Sequence, residues 1–380
     1  MIAPVILQQK NLDAVAHRFE QNFNLYNELG ASLAIHYQGE EVLSLAQGWT
    51  DKTMQKAWSS NTLIPVYSAT KGPASATLLM ALEKHGLTPQ HKVTNVWEKF
   101  PNPNATFAEM LSHQCGLAAI DKQVSVFDYA AVIHAIEQQK PNWDLGTAHG
   151  YHPRTFGFLL DEVCYRQEGK KIGTCFRDWI ATPLQIEMWI GLPESEFDRV
   201  ATLYPGKMTK EDQLSGFYKD FSQEGTLVRR TFNSPKGLQG VKEMNTEQAW
   251  TSGLPALGGV ATASALAQFY QAVIGELDLF SEQVMNWMAT PLISGEDLIL
   301  KTPTRFSCGF QFDPLDSFGK KIRHNYGIYD RAFGHPGAGG SHAFGDPDSG
   351  ISLSYTMNQM ELAVLPNIKS LSLIEALYAS

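Results

Sequence analysis

The apolar positions of this chain follow a two-residue period near both ends and a helical period between them. Ala31-Ser32-Leu33-Ala34-Ile35-His36-Tyr37 and Val42-Leu43-Ser44-Leu45-Ala46 are short apolar-rich runs separated by a polar turn at Gly39, which predicts an antiparallel hairpin. Leu63-Ile64-Pro65-Val66-Tyr67 reads as a further extended segment. After it, Leu78, Leu79 and Leu82 place a helix over 74–85, closed by Gly86 as its C′ residue. Pro73 lacks an N–H and belongs in the first helical turn, so this helix should begin between Ser68 and Thr70.

Helical spacing then continues over 107–113, 126–139, 156–167 and 175–181, punctuated by Pro and Gly. From 192 to 257 the periodicity weakens among scattered glycines and charges, which predicts long irregular loops of the kind that cover enzyme sites. Thr262 reads as the N-cap of a helix over 263–273, and strand character returns at 306–312, 332–335 and 351–357. Strands at both ends with helices between predict an α+β-type α/β fold, with one sheet completed by both termini. The expected organisation is a single domain, with a sheet lobe from 1–75 plus 262–380 and a helical lobe over 76–261.

The chain has 380 residues, 43% hydrophobic and 18% charged, which is globular composition long enough for a large core. Its net charge of −9, without a basic stripe, disfavours nucleic-acid and anionic-membrane partners. The first ten residues lack the basic n-region and long apolar run of a signal peptide, and no apolar run is long enough to span a membrane. Cys115, Cys164, Cys175 and Cys308 are isolated, without C-x-x-C spacing. A reduced, cytoplasmic protein without a metal site is expected.

Chemistry concentrates in Ser68-Ala69-Thr70-Lys71. At i and i+3, one helical face would carry the lysine amine to the serine hydroxyl at the donor-rich start of the helix. Such a pattern arises by chance about once or twice in a chain this long, and Ser317-Phe318-Gly319-Lys320 is a second instance in loop-like surroundings. Acyl transfer by a serine also requires a base, a proton carrier for the leaving group and donors for the oxyanion. Gly150-Tyr151-His152-Pro153 before a helix and His335-Pro336-Gly337-Ala338-Gly339-Gly340-Ser341 after a strand could supply them. A phosphate loop is not expected from the later glycines, because G-x-x-x-x-G-K-[ST] is absent, and so is the lipase-type G-x-S-x-G elbow.

The order S-x-x-K, loop Tyr, late K-T-G-like strand resembles the serine β-lactamase-like superfamily, and most closely its class C β-lactamase and family VIII carboxylesterase branch. Leu111-Ser112-His113-Gln114-Cys115-Gly116-Leu117 and Gly258-Gly259-Val260-Ala261-Thr262 extend the likeness, which covers about 30–358. The resemblance implies that Ser68 is acylated and that Lys71 and Tyr151 share the proton work. It implies that His335, Pro336 and Gly337 bind substrate in place of K-T-G, with the backbone N–H groups of Ser68 and Ala338 as the oxyanion hole. It also implies an antiparallel sheet flanked by helices, an inserted helical lobe, and no cofactor. Whether the base is a Tyr151 phenolate favoured by the Lys71 ammonium, or a desolvated neutral Lys71, stays open at the level of sequence. Proline suits an edge strand, so Pro336 is expected on one. Ser112, His113 and His152 read as packing or helix-end residues.

Two departures bear on the substrate. His335 stands where the family has lysine, and Pro153 where it has asparagine. Both substitutions remove polar handles for a β-lactam. The expected function is therefore hydrolysis of small-molecule esters with small or medium acyl chains. The alternatives are a β-lactamase or D-amino-acid peptidase, an acyltransferase, or a catalytically silent protein that binds an acylated ligand or a partner.

Overall fold

The computed structural model describes residues 7–209 and 215–379. Its elements run α1 (Gln9–Leu25), β1 (Gly30–Tyr37), β2 (Glu40–Gly48) and β3 (Ile64–Pro65), then a 3₁₀ turn at Tyr67–Thr70 that leads into α2 (Lys71–Lys84). The helical middle contains α3 (Phe107–Leu111), α4 (Tyr129–Glu137), α5 (Thr155–Glu168) and α6 (Ile172–Phe176), followed by β4 (Met188–Ile190). Next come α7 (Gly216–Ser222), α8 (Leu227–Asn233), α9 (Val241–Met244), α10 (Glu247–Thr251), β5 (Gly259–Ala261), α11 (Ala263–Val273) and α12 (Glu282–Ala289). The chain closes with β6 (Ile293–Glu296), β7 (Pro303–Phe306), β8 (Gln311–Phe312), β9 (Phe333–Pro336), β10 (His342–Asp346), β11 (Ile351–Met357) and α13 (Ile368–Leu377).

The main sheet has eight strands in the order β2-β1-β11-β10-β9-β8-β7-β6, each pair antiparallel. Early strand β1 and late strand β11 lie side by side, from Ala31 opposite Met357 to Tyr37 opposite Ile351. Alternate residues of β11 serve opposite faces. Ser352 Oγ donates to Ala267 O of α11 at 2.7 Å, where Ala34, Ala263 and Ala267 let the helix approach closely. Tyr355 turns the other way, onto Phe19 of α1, with ring centroids 6.4 Å apart. Helices on both faces explain why β1 and β11 are buried almost throughout and read as small and apolar rather than alternating.

The hairpin, the helix after Thr262 and the strand over 351–357 stand where the sequence puts them. Other elements differ from expectation. Helices flank the terminal strands, and α1 escapes the periodicity because its buried stripe is Asn11, Val15, Phe19 and Asn22, half of it polar. Those asparagines donate to Ala379 O at 2.8 Å and Lys369 O at 3.1 Å, so α1 recognises α13 and the residues just after it through hydrogen bonds. Four short helices, α7 to α10, occupy the stretch read as loops, of which residues 210–214 lie outside the described residues. The late glycine run becomes β10 from His342 onward.

Pro336 is a further correction, because β9 lies inside the sheet, between β10 and β8. Proline is tolerated there because β8 pairs only with Phe333 and Gly334, so β9 projects past it as a local edge. Cys164 and Cys175, isolated in sequence, are brought together by α5 and α6 as buried free thiols with their sulfurs 3.7 Å apart. Among the described residues no helix is long and apolar enough to cross a membrane.

Candidate active site

The 3₁₀ turn that carries Ser68 is fixed from behind by the small sheet β3-β5-β4. Val66 N donates to Gly259 O at 2.9 Å, and Thr70 Oγ1 accepts from Gly259 N at 2.9 Å while donating to Tyr67 O at 2.5 Å. A Cβ on Gly259 would stand 2.4 Å from Thr70 Oγ1, so a glycine is required there. Tyr67 takes φ +48°, the left-handed region that side chains seldom adopt. The α-helix proper starts at Lys71, one turn later than Ser68, and Pro73 falls in its first turn as expected.

Lys71 is completely buried, and its Nζ lies 3.1 Å from Ser68 Oγ, 2.9 Å from Pro153 O and 2.8 Å from Ala256 O. Carbonyl oxygens only accept, so each consumes one N–H. The remaining position on nitrogen faces Ser68, as a third N–H if the lysine is charged and as a lone pair if it is neutral. No carboxylate is among these contacts. Burial, with help from the Arg154 charge, pushes the Lys71 pKa well below its usual 10.5.

Tyr151 is buried at 5% exposure and lines the same cavity as Ser68. Lys71 Nζ stands 4.9 Å from the ring centroid. Burial raises the Tyr151 pKa above 10, and the neighbouring Ser68 hydroxyl offsets only part of that rise. The phenolate considered from sequence is therefore disfavoured, and both Lys71 and Tyr151 are driven toward their neutral forms.

His335 packs against Tyr151 with ring centroids 5.9 Å apart, 1% exposed. Burial and the nearby Lys71 push its pKa down to about 3, so it is a neutral imidazole. Its Nδ1 lies 2.8 Å from Pro336 O and therefore carries the proton. Gly337 touches the serine turn so closely that a Cβ would stand 2.1 Å from Val66 O. That contact brings Ala338 to the same cavity wall as Ser68 and Tyr151. His335, Pro336 and Gly337, expected to face substrate, do not border this cavity, and Ala338 and Gly339 form the wall instead. His335 packs against Tyr151, and Gly337 against the backbone at Val66.

The cavity measures ≈ 250 Å³. Phe217 and Phe221 of α7 and Phe232 of α8 line it as mutually packed rings, with centroids 5.5 to 5.9 Å apart. Leu257, Met360 and Val364 add to its apolar wall. Among the described residues on that wall, Arg154 and Glu361 carry charge. The Arg154 guanidinium is already bonded to the carbonyls of Pro235, Leu238 and Gly237.

A family model described as Beta-lactamase matches residues 16–375. The chain belongs to the beta-lactamase family. One curated relative, the esterase/beta-lactamase LipL of Mycobacterium tuberculosis, is 27% identical over 351 residues, covering 87% of this chain and 77% of LipL. A solved penicillin-binding protein homolog from Caulobacter crescentus is 32% identical with a TM-score of 0.81, covering 98% of each chain. A solved family VIII carboxylesterase is 28% identical with a TM-score of 0.84, again over 98% of each chain. This member of the beta-lactamase family is thus a hydrolase with esterases among its relatives.

Within the beta-lactamase fold, the second S-x-x-K pattern is set apart. Ser317 and Lys320 lie on an exposed turn where Asp316 Oδ1 accepts from Phe318 N and Lys320 N at 2.8 and 2.9 Å. His113 and His152 do more than pack. His113 Nδ1 accepts from His152 N at 3.3 Å, and His152 Nε2 accepts from Leu117 N at 3.0 Å, which stiffens the Tyr151 segment. No spacing in the sequence links Arg154 or the three phenylalanines to Ser68.

Proposed function

We propose that the protein is a serine carboxylesterase acting on neutral small-molecule esters with small or medium acyl chains. The observation that carries this reading is the position of a buried Lys71, held by two carbonyls, 3.1 Å from Ser68 Oγ beside a largely apolar cavity. Neutral Lys71 takes the Ser68 proton as Oγ attacks the ester carbonyl carbon. The N–H groups of Ser68 and Ala338 hold the resulting oxyanion. The C–O bond to the alcohol then breaks, and the departing oxygen takes a proton through the Tyr151 hydroxyl, leaving an acyl-enzyme on Ser68. Water, deprotonated by the same pair, attacks the acyl carbon, releases the acid and restores the serine.

The cavity favours esters over β-lactams on electrostatic grounds. A β-lactam brings a carboxylate, which needs a free cation. Here His335 is neutral and buried, and three of the five Arg154 N–H donors are already engaged by the carbonyls of Pro235, Leu238 and Gly237. Turnover of p-nitrophenyl acetate and butyrate, beside nitrocefin and with Ser68→Ala as control, tests the reading. Ester cleavage that disappears in Ser68→Ala supports it. Absence of Ser68-dependent turnover of any of the three would leave a catalytically silent binder, and fast nitrocefin turnover with negligible ester cleavage would make the protein a β-lactamase.

A further inference from the structure

The short segment His149-Gly150-Tyr151-His152 is held from two sides. On one side, Gly150 N donates to His113 O at 3.1 Å and His152 N to His113 Nδ1 at 3.3 Å. On the other, Tyr151 N donates to both carboxylate oxygens of Asp297, each at 3.1 Å. Asp297 follows β6 at the start of the turn to β7 and is 1% exposed. The same carboxylate accepts from Ile299 N at 2.8 Å and Leu300 N at 2.9 Å through Oδ1, and from the Thr304 hydroxyl at 3.2 Å through Oδ2. Thr304 Oγ1 in turn lies 2.8 Å from His149 Nε2. Because the threonine proton goes to Asp297, His149 donates from Nε2. Leu298 N donates to His149 O at 3.1 Å and completes the join between turn and segment.

A buried carboxylate is costly unless its oxygens are satisfied, and hydrogen bonds to a charged acceptor are about twice as strong as neutral ones. Asp297 is satisfied by the turn's own N–H groups and by the backbone of a single residue outside that neighbourhood, Tyr151. It therefore serves as an anchor that ties the height of the Tyr151 backbone to the sheet edge at β6 and β7. The stacking of the Tyr151 ring on Phe306 of β7, with 7° between planes, fixes the ring on the same element.

We infer that Asp297 is a positioning residue for Tyr151: its carboxylate holds the Tyr151 backbone so that the phenol meets the Ser68 hydroxyl. The inference rests on the esterase reading for its rate consequence, but not for the anchor itself. A displacement of about 1 Å at a proton carrier can cost on the order of 100-fold in rate. Asn keeps one acceptor oxygen for the turn and loses the charge, whereas Ala removes both oxygens.

The test measures p-nitrophenyl butyrate kinetics for Asp297→Asn and Asp297→Ala, each alone and in a Tyr151→Phe background, with amide hydrogen exchange across residues 149–152. The expected result is a kcat about 10-fold lower in Asn and about 100-fold lower in Ala, with KM within about twofold because Asp297 does not border the cavity. In Tyr151→Phe, where no phenol remains to position, Asp297→Asn should change kcat less than about twofold. Amide exchange at Tyr151 should speed markedly in both variants. A folded Asp297→Asn with wild-type kcat, or an equal loss in the Tyr151→Phe background, overturns the inference. If the wild type proves inert to esters, the functional reading fails, and exchange at Tyr151 still decides the anchor: unchanged protection in Asp297→Asn refutes it.

Discussion

Lys71 Nζ and Ser68 Oγ stand 3.1 Å apart, and the lysine's other two contacts, Pro153 O at 2.9 Å and Ala256 O at 2.8 Å, are carbonyl oxygens that can only accept. The geometry reserves one valence of the nitrogen for the serine. Substituting Lys71→Met removes that valence while filling the same space. Ester turnover should fall about 10³-fold, within the usual range for loss of a general base. Steady-state kinetics with p-nitrophenyl butyrate checks this.

The same substitution should stabilise the fold. A buried amine without a carboxylate partner is held at the expense of stability, so Lys71→Met should gain about 1 kcal/mol at neutral pH. The sign follows from proton binding. The folded pKa lies below 10.5, so between the two values the unfolded chain binds more protons and wild-type stability rises with pH. The Tm advantage of Lys71→Met should therefore shrink as pH climbs toward 10.5. Thermal unfolding of both proteins across that window is the measurement, and an advantage that grows with pH would contradict the lowered Lys71 pKa.

Activity should track the same titration from the other side. With Lys71 as the base, kcat/KM should rise with pH along an acid limb set well below 10.5. Burial raises the Tyr151 pKa, so no phenolate is required on that limb. Tyr151→Phe should reduce kcat by about 10²-fold without moving the limb. A limb that shifts in Tyr151→Phe would transfer the base role to the tyrosine.

Phe221 and Phe232 cross edge to face at 5.6 Å within the cavity wall. Trimming either to Ala should open room for longer acyl chains. The ratio of kcat/KM for the octanoate to the butyrate ester should rise about tenfold, equivalent to about 1.4 kcal/mol in the transition state. A p-nitrophenyl ester series on each variant measures it directly.

Lys369 of α13 and Glu28 form an ion pair at 3.0 Å with almost no exposure, and the Tyr355 hydroxyl of β11 donates to the same carboxylate. Lys369→Met leaves Glu28 buried without its cation. Chemical denaturation should register a loss of about 3–5 kcal/mol, with the active-site kinetics unchanged in the folded fraction.

The sequence by itself determined the elements whose pattern is local: the β1–β2 hairpin, the Thr262-capped helix, β11, and the helix after Ser68 with Pro73 in its first turn. Ser68, Lys71, Tyr151 and Ala338 were legible as blocks in order, and the fold brings them around one cavity or its wall. Tertiary structure decided what depends on distant backbone. It set the lowered pKa of Lys71, which comes from burial and the Arg154 charge far along the chain, and the two carbonyls, of Pro153 and Ala256, that hold its amine. It turned His335 inward onto Tyr151, gave Pro336 a local edge inside the sheet, and tied Tyr151 to Asp297 across 146 positions. Periodicity records which face of an element is apolar. It cannot record which remote carbonyl or carboxylate will meet that face, and those meetings fix the protonation states on which the chemistry of this site depends.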